Sequence, residues 1–78
     1  MKTITLPVFF NTEESTRLEE IGINVDFEEL IVKDVFFTSI DFFHAHYEMP
    51  QYSNVGVGGA GFIVKMNTEQ VTKELQKL

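Results

Sequence analysis

The stretch Val55-Gly56-Val57-Gly58-Gly59-Ala60-Gly61-Phe62-Ile63-Val64-Lys65-Met66-Asn67 decides how the rest of the chain is read. Residues 52–66 predict a β-hairpin, with Val55 and Val57 before Gly58-Gly59 and Phe62–Met66 after it. A Gly-Gly pair suits a two-residue turn because both positions can take positive φ. Asn67 then predicts a helix start, with Gln70 at the capping-box position and Met66 placed to staple against Val71. Val71, Leu75 and Leu78 follow at i, i+4 and i+7 and predict one apolar helix stripe. Glu69 in the first turn and Lys73 and Lys77 towards the end suit the helix dipole.

Within the same stretch, Gly56-Val57-Gly58-Gly59-Ala60-Gly61 matches G-x-G-x-x-G. In a dinucleotide site that pattern ends a strand and opens a helix. Here Phe62–Met66 reads as a strand, and an acidic residue some 20 positions on would fall near or past residue 78. A kinase-type glycine loop does join two strands, but neither His-Arg-Asp nor Asp-Phe-Gly occurs. The glycines are therefore read as a hairpin turn, and no cofactor is expected.

Upstream, residues 2–10 read as a strand of β-branched and aromatic residues. Pro7 lacks a ladder donor, which places this strand at a sheet edge or Pro7 at a strand end. Residues 11–20 are a short helix or an ordered loop, with Asn11 and Thr12 as candidate caps. Ile21, Ile23, Val25 and Phe27 alternate with polar or small residues, which predicts a half-buried strand or extended segment. Residues 29–38 and 40–48 read as two strands, or one long strand bent near Thr38-Ser39, stopped by Pro50.

The chain has 78 residues, a length for one domain over 1–78 with a small core. It is 44% hydrophobic and 23% charged, the balance of a folded protein rather than a disordered one. Eight Phe and no Trp make Phe the main filler of that core. The absence of Cys excludes disulfides and thiolate metal sites and fits a reducing, cytoplasmic setting. The apolar run Ile4–Phe10 is interrupted by Thr5 and Pro7 and is followed by no small-residue cleavage site, so it is not read as a signal peptide. No apolar run approaches 18 residues, so no membrane span is expected.

Residues 11–34 hold eight acids and two bases, so the whole net charge of −6 resides there. Such a surface repels phosphate backbones, and nucleic acid is not an expected partner. The acidic segment reads first as a solvated edge, and otherwise as a docking face for a basic protein or a mimic of nucleic acid.

His44, His46 and Glu48 share one face if 44–48 is a strand. Two imidazoles and a carboxylate are ligands for Zn²⁺ or Fe²⁺. On a strand they stand about 6.5–7 Å apart, wide for one ion, and the competing reading is a polar strand end. Ser39 and Ser53 are the candidate nucleophiles for either histidine, yet no nucleophile elbow or other local signature accompanies them. The adjacent acids Glu13-Glu14, Glu19-Glu20 and Glu28-Glu29 point apart on helix or strand and form no acid–base dyad. No catalytic residue is assigned. The pairs Phe9-Phe10, Phe36-Phe37 and Phe42-Phe43 send one ring to each face of a strand, so rings on the second face need covering.

Phe36-Phe37-Thr38-Ser39-Ile40-Asp41, the turn at Pro50, the glycine hairpin and the helix opening Asn67-Thr68-Glu69-Gln70-Val71 together resemble small proteins of phages and mobile elements of Bacteroides-type gut bacteria. The last 27 residues are also similar to a short flagellar-operon family with a strand–Gly–strand–helix ending. The first resemblance implies a mobile-element setting without a transferable activity. The second implies a small regulatory role, from which the acidic 11–34 segment departs. The expected fold is α+β: an antiparallel sheet of four or five strands, open or curled into a small barrel, with the C-terminal helix on one face. The expected function is a non-enzymatic structural or protein-interaction module with a protein partner or a homodimer. The alternatives are the His44/His46/Glu48 metal protein and the acidic mimic.

Overall fold

In the computed structural model, which describes residues 2–78, the alternating residues of β1 (Ile4–Phe10) separate two faces of a sheet. Ile4, Leu6 and Val8 are buried on one face, while Thr5, Pro7 and Phe9 lie on the other. The remaining strands are β2 (Ile31–Phe37), β3 (Phe42–Ala45), β4 (Ser53–Val57) and β5 (Ala60–Val64). They form one five-stranded antiparallel sheet in the order β2-β1-β5-β4-β3. The sheet is open, so the barrel alternative does not apply: β2 and β3 are its two edges.

The hairpin forms around Gly58 (φ 57°) and Gly59 (φ 83°), with Val57 opposite Ala60. Two successive positive φ values define the mirror-image turn that matches strand twist. The inner face collects Ile4, Leu6, Val8, Phe37, Val55 and Val64, with Phe43, Phe62, Met66 and Leu75 packed around them. Phe37 and Phe62 meet edge to face at 5.6 Å. Removing these side chains from water supplies most of the folding energy in so small a domain.

Helix α2 (Thr68–Leu75) lies across this face, against β1 and β3. Its capping box is present: Gln70 N–H donates to Asn67 Oδ1 at 2.8 Å, and Asn67 N–H donates to Gln70 Oε1 at 3.0 Å. Val71 is fully buried and Leu75 half-buried. Leu78 departs from the expected stripe: the helix ends at Leu75, and Leu78 is exposed. Residues 13–20 resolve as helix α1 (Glu13–Glu20), capped by a reciprocal Thr12–Ser15 pair. Ser15 takes the place of the usual Glu at that position and is fully buried, its own Oγ–H donating to the Thr12 carbonyl.

Three further expectations need correction. Residues 21–28 are not a strand but a turn at Gly22 (φ 85°), an irregular run and a 3-10 turn at Phe27–Glu29. Ile21 and Ile23 are exposed, and Phe27 supplies the segment's aromatic contacts with the sheet. The strand expected over 40–48 covers only Phe42–Ala45.

Pro7, finally, sits in an interior strand, at a position where its missing N–H removes no bond to β2. Lys65 N–H donates to the Pro7 carbonyl at 2.8 Å, so the amide edge of Pro7 points towards β5. Pro7 and its partner Asp34 therefore form a non-hydrogen-bonded pair. The β1–β5 pairing is short, a single bridge at Val8–Val64, and it absorbs the lost donor.

Candidate functional site

The outer face of the sheet carries the features that bear on function. At its centre Phe9, Phe27 and Tyr52 form a triangle with every pair of ring centroids 5.0 Å apart. Phe27 also meets the His46 ring edge to face at 5.5 Å. The irregular segment 21–29 thereby covers the middle of the face. Between this segment and the 47–52 turn lies an open groove of about 960 Å³. Glu19, Asp26, Glu28 and Glu48 give it negative charge, and Ile23, Tyr47 and Met49 give it apolar wall.

The corners of the outer face are uncovered. Phe36 on β2 is 73% exposed and Phe42 on β3 is 59% exposed. Phe42 lies flat over Gly56, its cross-strand partner, and its ring fills the space a Cβ would need there. The His44 ring stacks on Phe42 at 6.3 Å and 6°.

The three candidate metal ligands separate into distinct environments. His44 is exposed on β3, its Nδ1 3.1 Å from the Ala45 carbonyl. His46 is buried just past the strand end, and its Nδ1 accepts from the N–H groups of Glu48 and Met49, both at 3.2 Å. With Nδ1 an acceptor twice over, the ring hydrogen lies on Nε2. His46 N–H donates to the Tyr52 carbonyl at 2.9 Å, and Tyr52 N–H donates to the Met49 carbonyl at 2.8 Å. The imidazole thus holds together the turn that carries Pro50 from β3 to β4. Glu48 is exposed in that turn. Because the strand ends at Ala45, the period-2 alignment of the three side chains is lost. Among the described residues no three His, Asp or Glu side chains come together to hold a metal ion.

Glu48 acts instead on its neighbour. A hydrogen bond to the Glu48 carboxylate, and then its negative charge, hold the Tyr47 phenol above the usual tyrosine range. The glycine loop is a turn tied by a carboxylate: Gly58 N–H donates to Asp41 Oδ2 at 2.8 Å. A phosphate at this turn would have to displace that carboxylate, and a strand, not a helix, follows it. Ser53 is fully buried and donates from Oγ to the Met66 carbonyl at 2.8 Å, so it is a structural hydroxyl. Ser39 is exposed in the bend between β2 and β3.

Sequence reasoning missed the organising role of His46 and the Phe9–Phe27–Tyr52 triangle. The proximity of His46 to Pro50 was the signal for the first. The second has none, because its rings come from three separated segments. No helix is long and apolar enough to cross a membrane among the described residues. Set beside known protein families, characterised proteins and solved structures, the chain finds no match.

Proposed function

We propose that this chain is a small non-enzymatic protein-interaction module, self-associating or binding another protein. The observation that supports this reading is the placement of large apolar rings in solvent on one sheet face, Phe36 at 73% and Phe42 at 59% exposure. Single exposed apolar residues are ordinary, but rings on the flat outer face of a β-sheet are ready contact surface. The acidic 11–34 segment, the absence of Cys and the resemblance to mobile-element proteins are in keeping with a cytoplasmic protein that avoids nucleic acid and serves such an element.

The test uses the whole chain and a Phe36→Ser/Phe42→Ser double variant. Sedimentation equilibrium measures self-association, and affinity capture on the immobilised chain measures other partners. The expected result is an association, of either kind, that the double variant weakens at least tenfold while keeping its circular dichroism. A 9.0 kDa species at every concentration, together with no captured protein that distinguishes the two chains, overturns the reading.

A further inference from the structure

The free edge of β2 carries a more specific inference, which rests on the interaction-module reading. β2 is the longer of the two sheet edges: all seven residues pair with β1, and among the described residues no strand lies on its other side. The opposite edge, β3, has only four residues. The orientation of Pro7 fixes which groups point outwards. Pro7–Asp34 is a non-hydrogen-bonded pair, so Lys33 and Val35 direct their amides to β1, while Val32, Asp34 and Phe36 direct theirs away from it. Among the described residues no backbone or side-chain hydrogen bond reaches these outward groups. An edge of this kind, regular and without Pro, is a template for one more strand.

We infer that the added strand is β2 of a second copy, antiparallel about a two-fold axis at Val35, which joins two five-stranded sheets into one. Charge selects both the occupant and the register. Lys33 and Asp34 cancel within β2, so this edge escapes the repulsion expected between two chains of net charge −6. Directly opposed like charges destabilise a ladder. A centre at Asp34 sets two aspartates face to face, and a centre at Lys33 two lysines. A centre at Val32 draws Glu28 and Glu29 into the paired stretch, and one at Phe36 shortens the ladder. The Val35 centre places Asp34 opposite Phe36 of the second copy and Lys33 opposite its Phe37, with both acidic ends outside. Asp34 and Phe36, whose amides point outwards, exchange backbone bonds across the axis. The two exposed Phe36 rings then become diagonal neighbours on the outer face, about 7–8 Å apart and within reach of each other.

Sedimentation equilibrium at tens of micromolar, with amide hydrogen exchange read by NMR across the same concentrations, tests the assignment. The expected result is a dimer in which the amides of Asp34 and Phe36 gain protection of at least tenfold as the dimer forms. An Asp34→Pro variant removes an outward donor and an exposed carboxylate but no bond to β1, and should be monomeric with the wild-type circular dichroism spectrum. Exchange on the wild-type chain decides the matter even if that variant does not fold. A dimer in which these two amides exchange as freely as in the monomer overturns the edge pairing and leaves the interaction-module reading standing. A 9.0 kDa species throughout also overturns it, and partner capture then judges the broader reading alone.

Discussion

The Ser53 hydroxyl donates to the Met66 carbonyl at 2.8 Å and so pins the first residue of β4 to the chain just before α2. The hydroxyl lies out of reach of water, since Ser53 is fully buried, while Met66 is half-buried. Ser53→Ala leaves that carbonyl without its donor and should cost about 1–3 kcal/mol in denaturant titration. A change within about 0.5 kcal/mol would show that water replaces the hydroxyl freely.

The two histidines should respond very differently to substitution. His46→Leu strips the acceptor from the Glu48 and Met49 N–H groups and breaks the ring contact with Phe27, for a loss of about 1–3 kcal/mol. His44→Ala removes an exposed ring and should stay within about 0.5 kcal/mol. Equal effects in urea titration would contradict the assignment of His46 as the organiser of the 46–52 turn. Stoichiometric zinc or iron in protein purified without a His tag, lost in the His44→Ala/His46→Ala double variant, would instead favour the metal-binding alternative.

Val71 and Leu78 were joined by one helical stripe in the sequence, and the structure separates them. The hairpin and the capped helix were legible because each rests on local chemistry: paired glycines for the turn, and Asn67 with Gln70 for the cap. The end of α2 was not, because no Gly or Pro marks it, and Leu78 lies past the last turn. The same limit explains residues 21–28, where an alternating pattern occurs in a chain reversing at Gly22 and docking one ring, Phe27. The interior position of Pro7 depends on which side of the strand its amide faces, a fact no periodicity contains. Val71→Ala, which deletes two fully buried carbons, should cost about 2 kcal/mol. Leu78→Ala should cost under about 0.5 kcal/mol. A loss below that limit at Val71 would mean that α2 is not docked.

Glu48 and Tyr47 form an exposed pair whose effect shows in titration rather than in stability. Hydrogen bonding to the carboxylate and repulsion of the phenolate both favour the protonated phenol, so the Tyr47 midpoint lies above the usual value. Glu48→Gln removes the charge and weakens the acceptor, and should move that midpoint downwards, towards the usual value. The matching sign in pH-dependent stability is a small contribution present at neutral pH and lost as pH rises through the raised midpoint. Ultraviolet titration of the wild type and the variant on a Tyr52→Phe background isolates the phenol concerned. An unchanged or raised midpoint in Glu48→Gln would refute the pairing.

The hairpin turn offers the sharpest distinction between a structural and a ligand-binding use of its glycines. Gly58 and Gly59 have φ of 57° and 83°, and open space surrounds a Cβ built at either position, so only backbone strain opposes substitution. Asn enters the left-handed region more readily than other side chains, so Gly58→Asn should leave stability within about 0.5 kcal/mol. Gly59→Ala places a Cβ in that region and should cost about 1–2 kcal/mol. Asp41→Asn should weaken the turn as well, because the charge-assisted bond to Gly58 N–H becomes a neutral one. None of these changes should alter a response to ATP or NAD, because neither nucleotide should raise the melting temperature of the wild-type chain at millimolar concentration. A saturable rise of several degrees, abolished by Gly59→Ala, would mean that the turn cradles a phosphate after displacing the Asp41 carboxylate.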